Sequence, residues 1–153
     1  LLLFSSFTDL EKVYELTLPA FRAAGLSILK QDGRIDNKIL GEEFKRAGNA
    51  VLFGSESFAT GFDAPGDALR LVSIFKLPYP GKDPVTEALM RSYFPRYKDQ
   101  MLTRVTQAAG RLIRTVDDRG RLFIADSRAE AVLQDNSLMC RHLREFKRED
   151  VIA

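Results

Sequence analysis

Gln107, Arg111 and Arg114 follow one another at spacings of four and three in the stretch QAAGRLIRTVDDRGRLFIAD, residues 107–126. A helix turns by ~100° per residue, so with Gln107 at zero Arg111 falls near ~40° and Arg114 near ~340°. One narrow stripe therefore carries an amide and two guanidinium groups. Met101, Val105, Ala109, Leu112 and Val116 fall between roughly 120° and 200°, on the opposite face, where such a helix packs onto a core. Arginine brings a permanent positive charge and a planar fork of donors that matches phosphate or carboxylate oxygens. The pattern fits an anion-binding surface, and it also fits a solvated arginine face, the commoner fate of charges on a helix. Gly110 falls beside the stripe at about 300°. An interior helical glycine costs about 1 kcal/mol relative to alanine, so it calls for a reason such as the close approach of another backbone or a ligand.

A second group of residues lies in loops. ESFATGFDAPGD, residues 56–67, carries Gly61 and Gly66 around Asp63 and Pro65, a long excursion for a simple connection. Asp63 there either caps local backbone amides or faces a ligand. Cys140 and His142 are the single cysteine and histidine. Two apart, they diverge by about 200° on a helix and form no catalytic pair. The chain thus offers neither a disulfide framework nor enough soft ligands for a zinc or iron–sulfur site.

The elements that must position these residues are legible as apolar runs. LLLF (1–4), LSIL (26–29), AVLFGS (50–55), LRLVSIF (69–75) and RLFIAD (121–126) read as buried strands. Helical patterns separate them: Asp9 to Ala24 with Thr8 as cap, Asp36 to Arg46, Asp83 to Phe94, and Asp99 to Val116. A fifth is expected over Ser137 to Lys147. Strands alternating with helices predict an α/β fold whose parallel sheet is covered on both faces. In such sheets ligands sit beyond the carboxyl ends of the strands. Those ends read SSFTD, KQDGR, ESFATGFDAPGD, KLPYPGKD and DSRAE.

With 153 residues, 45% hydrophobic and 29% charged, the chain suits one domain with a core of its own. A net charge of +2 is too mild to argue for nucleic acid. Between Arg104 and Arg128, however, six arginines face three aspartates, a local basic surface around the opening motif. The first residues, LLLF, lack a methionine and a basic leader region, and they read as a strand cut from a longer polypeptide. No apolar run is long enough to span a membrane.

ESFATGFDAPGDALRLVSIFKLPYP and QAAGRLIRTVDDRGRLFIADSR together resemble motifs V and VI of the DinG/XPD branch of superfamily 2 helicases, and LLLFSSFTDLEKVYE resembles its motif IV. The resemblance spans roughly residues 1–130, and the order Ser-Phe, Gly-x-Asp-x-Pro-Gly, Lys-Leu-Pro-Tyr-Pro, motif VI is its most specific part. It departs where Ala59-Thr60 stand in place of the branch's Trp-Glu. The chain also has no Gly-x-x-x-x-Gly-Lys-Ser/Thr loop and no acidic Mg²⁺ motif.

The resemblance implies a RecA-like three-layer α/β/α domain over residues 1–153, the second motor domain of an ATP-dependent 5′–3′ DNA helicase. The first motor domain would lie outside this chain and bind most of the ATP and Mg²⁺. Any iron–sulfur cluster would also lie outside. Arg111 and Arg114 would act as arginine fingers, with Gln107 linking the nucleotide to motif V. Gly61, Asp63 and Gly110 would lie near the nucleotide, Gly110 letting the helix approach the facing domain. Ser5, Ser6, Ser57 and Lys76 would hold phosphates of single-stranded DNA. Phe58 would stack on a base or sit in the core, and Lys76 would meet phosphate or cover the sheet edge. An intracellular, cytoplasmic and nucleoid-associated setting follows from that role. The alternative is a binding module that keeps the helicase fold without catalysis.

Overall fold

The computed structural model describes residues 1–62, 64, 68–81, 83–112 and 119–134. Among these residues five strands form one sheet: β1 (Leu2–Phe4), β2 (Ser27–Lys30), β3 (Ala50–Ser55), β4 (Leu71–Phe75) and β5 (Arg121–Ala125). Their order is β2-β3-β1-β4-β5, and every pairing is parallel. The expected α/β class is thereby met, with the five apolar runs as the five strands.

Among the described residues six helices connect and cover them: α1 (Phe7–Ala23), α2 (Asn37–Ala47), α3 (Glu56–Gly61), α4 (Pro84–Ser92), α5 (Phe94–Leu112) and α6 (Ala129–Leu133). Alternation along the strands splits the core in two. Leu2, Phe4 and Phe53 join Leu10 of α1 on one face of the sheet. Leu3, Leu52, Val72 and Ile74 pack on the other face with Leu40 and Phe44 of α2 and with Met101, Val105, Ala109 and Leu112 of α5. This is the three-layer α/β/α arrangement. Each fully buried Phe or Leu contributes about 1.5–3 kcal/mol, so these two clusters hold the sheet between its helices.

Several boundaries differ from the sequence reading. Helix α1 starts at Phe7 rather than Asp9, because Ser6, not Thr8, is its cap and accepts the Asp9 N–H at 3.4 Å. Helix α5 starts at Phe94, five residues before Asp99, because Pro95 at the first turn needs no hydrogen-bonded N–H and so does not break the helix. Part of the 56–67 excursion is helix α3. The ends of α2 and α4 shift by a residue or two, with Asp36 and Asp83 as their caps. The Asp83 cap forms a reciprocal pair of hydrogen bonds with Thr86. Val116 and the helix expected over Ser137 to Lys147 lie outside the described residues, as do Cys140 and His142.

Candidate functional site

The arginine stripe has the orientation its periodicity predicts. Met101, Leu102, Val105, Ala108, Ala109 and Leu112 are the buried residues of α5. Gln107 and Gly110 are exposed on the opposite side, and Arg111 is half-buried in the last turn. A Cβ placed on Gly110 would meet nothing within 4 Å, so nothing in the described chain demands glycine there. Gly120 differs: its Cβ would fall 2.6 Å from Leu112 Cγ and 3.1 Å from the Arg70 carbonyl oxygen. Arg114 and Asp63 lie outside the described residues.

At the carboxyl ends of β1 and β4, a small crevice of about 20 Å³ is bordered by Ser5, Glu56, Lys76, Pro78 and Arg104, over an apolar floor that includes Leu3, Ile74 and Ala108. The fold therefore brings Ser5 and Lys76 together. Lys76 adopts a left-handed backbone with φ of 70°, the one non-glycine residue to do so among those described. That conformation costs a side-chain-bearing residue about 1–2 kcal/mol and is a mark of functional sites. Its ammonium pairs with Asp9 in the first turn of α1 at 2.7 Å.

Ser6 is already engaged as the α1 cap, which leaves its hydroxyl committed to the helix. Ser57 lies in the first turn of α3, two residues beyond the carboxyl end of β3. Gly61 ends α3 and borders a separate groove of about 440 Å³ with Asp36, Lys38, Lys45 and Phe62. Phe58 is only 2% exposed and packs edge-on against Phe62, so it is core and stacks on no base.

Three polar links that local patterns do not announce hold the carboxyl edge. Gln31, buried after β2, accepts the Ser55 N–H at 2.7 Å and donates to Asn37 Oδ1 at 3.0 Å, fixing the exit of β3 against the start of α2. Arg104 of α5 grips Glu56 at the start of α3 through Nε to Oε1 at 2.8 Å and Nη1 to Oε2 at 3.2 Å. Asp126, after β5, accepts the Leu77 N–H at 2.8 Å and the Arg128 guanidinium at 2.7 and 2.9 Å. The Arg128 guanidinium, followed by the Leu77 and Arg128 amides, holds the Asp126 carboxyl well below the usual carboxylate range despite the opposing effect of burial. Arg128 in turn lies 5.1 Å over the Tyr79 ring. Only the Asp126–Arg128 half of this clasp is local, two residues apart in DSR, and its link to Leu77 has no signal in the sequence.

A description of helicase C-terminal domains matches residues 1–145. The chain belongs to that family. Among similar curated proteins, the ATP-dependent DNA helicase YoaA of Escherichia coli is 39% identical over 71% of this chain and 18% of its own length. The 3′-5′ exonuclease DinG of Staphylococcus epidermidis is 34% identical over 84% of the chain and 15% of its own length. A probable ATP-dependent helicase of Methanocaldococcus jannaschii is 33% identical over 84% of the chain and 23% of its own length. The chain thus spans less than a quarter of these relatives. The family and these names agree with the DinG/XPD-like resemblance of motifs IV, V and VI. Among the described residues there is no group of three His, Cys, Asp or Glu side chains that could hold a metal ion, and no helix long and apolar enough to cross a membrane.

Proposed function

We propose that residues 1–153 act as the second motor domain of an ATP-dependent DNA helicase that moves 5′ to 3′ on single strands. The observation that carries this reading is the α5 stripe: Gln107 and Arg111 project from a helix whose other face is buried in the core. Such a helix offers guanidinium groups to a facing domain without disturbing its own packing. As the terminal phosphate leaves ATP, charge spreads over its oxygens, and an arginine fork stabilises that charge. Arg111 and Arg114 take that role, and Gln107 links the nucleotide to Gly61 and Asp63. The open space beside Gly110 supports a close approach by the first motor domain, which supplies the phosphate loop and the Mg²⁺ ligands.

Strand phosphates are met by Ser5 and Lys76 at the crevice, assisted by backbone amides around Ser6 and Ser57. The strained backbone of Lys76 supports a role for its ammonium beyond covering the sheet edge. Work on DNA places the intact protein inside the cell with the nucleoid.

The experiment is steady-state ATPase of the intact helicase at saturating single-stranded DNA. Loss of an arginine finger costs on the order of 10³-fold or more in turnover, so Arg114→Ala is expected to lose that much while its melting temperature holds. Arg114→Lys fails nearly as badly, since a point charge cannot replace the fork. Arg119→Ala, beside Gly120 beyond the helix, stays within a few-fold of the parent. Parental turnover in Arg114→Ala would sink the assignment.

A further inference from the structure

We propose that Arg104 is a positioning residue that couples the strand crevice to the arginine stripe through its two-point pair with Glu56. This rests on the reading of the crevice as strand-binding and of the stripe as nucleotide-facing. Arg104 lies three residues before Gln107 and seven before Arg111, near about 60° on the same wheel, so it is the first member of the stripe. It is also the member that borders the crevice with Ser5 and Lys76. Two helical turns, about 10 Å, separate it from Arg111.

Glu56, its partner, opens α3, the helix that ends at Gly61. That helix is seated tightly on its strand. A Cβ on Gly54 would come 2.8 Å from the Phe58 ring, so α3 and the exit of β3 have little freedom to move separately. Arg104 Nη1 also reaches the Pro78 carbonyl oxygen at 3.4 Å, two residues beyond Lys76. One guanidinium thus joins α5, α3 and the segment after β4. Nη1 donates to Glu56 Oε2 at 3.2 Å while Nε stands 2.8 Å from Oε1, and an ion pair held at two atoms on each side fixes direction as well as distance, which a single lysine contact does not.

The pair is about one-third exposed on each side, and such pairs are weak stabilisers. Its worth is therefore geometric. A phosphate drawn to Lys76 and Ser5 arrives beside Arg104, and any shift of the guanidinium is passed along the rigid helix to Gln107 and Arg111.

The test compares ATPase of the intact helicase without DNA and with saturating single-stranded DNA for Glu56→Gln, Arg104→Lys and the double variant. Coupling energies of this kind correspond to roughly tenfold effects, so each single variant is expected to lose roughly tenfold of the DNA stimulation, a larger factor than any it loses in DNA-free turnover. The double variant loses no more than either single one, since both remove the same link. Thermal melting stays near the parent because the pair is a weak stabiliser. Arg104→Lys with parental stimulation would overturn the proposal, as would additive losses in the double variant. Equal loss of DNA-free and DNA-stimulated turnover would also overturn it, because Arg104 would then act in the chemistry itself. An unmutated helicase whose ATPase ignores DNA would instead overturn the functional reading beneath it.

Discussion

Replacing Gly110 with alanine separates what the fold asks of this position from what the function asks. Gly110 lies two residues inside the C-terminal end of α5, and a Cβ there meets nothing within 4 Å. Alanine removes the glycine penalty of about 1 kcal/mol for a full helix interior, reduced near a helix end, so a gain of about 0.5–1 kcal/mol is expected. For a domain of this size 1 kcal/mol moves the melting temperature by about 2–4 °C. Urea and thermal unfolding of the 153-residue chain measure the gain. In the intact helicase the same methyl group would stand where the facing domain closes, and DNA-stimulated ATPase is expected to fall. Gly120→Ala supplies the opposite control. Its methyl group collides with the buried Leu112 side chain and the Arg70 carbonyl, an overpacking that costs about 1–3 kcal/mol. If Gly110→Ala destabilises the chain, the space beside the helix is not open. If it stabilises the chain and leaves turnover at the parental level, close approach is not why glycine stands there.

Two further outcomes follow from the carboxyl edge of the sheet. Lys76→Gly is expected to be more stable than Lys76→Ala by about 1 kcal/mol, because the left-handed cost of about 1–2 kcal/mol falls on alanine and exceeds glycine's extra entropy loss of about 0.5–1 kcal/mol. Denaturant midpoints decide this, and the reverse order would remove the strain argument, while both variants should weaken binding of a labelled single-stranded oligonucleotide. Asp126 has a folded pKa depressed below its unfolded value near about 3.9, so its contribution is complete above about pH 5 and is lost progressively as pH falls further. The stability gap between the parent and Asp126→Asn is therefore expected to narrow between about pH 5 and pH 3 in thermal melts, and a gap that stays constant would refute the linkage.

The strands were legible in the sequence because a parallel sheet buried on both faces makes each strand a nearly continuous apolar run. AVLFGS became β3 without a change of boundary. The α5 stripe was legible for a similar reason: burial of Met101, Val105, Ala109 and Leu112 imposes a helical period that leaves Gln107 and Arg111 on the far side. Family membership could be read from motifs IV, V and VI because their spacing survives in the linear chain.

Boundaries were less legible. Ser6 and Thr8 are both good caps, and only the Asp9 amide's actual partner chooses between them. Pro95 signals a break in sequence, but at the first turn of α5 it has no bond to lose. Helix α3 is too short for periodicity to reveal, and Phe58 entered the core because Gly54 left room for its ring. The polar framework of the site belongs wholly to the tertiary structure. Glu56 and Arg104 are 48 residues apart, Leu77 and Asp126 are 49 apart, and Asp9 and Lys76 are 67 apart. Periodicity reports which way a side chain faces relative to its own element. It carries nothing about which distant side chain will stand opposite, since that depends on the order in which the strands line up, here β2-β3-β1-β4-β5.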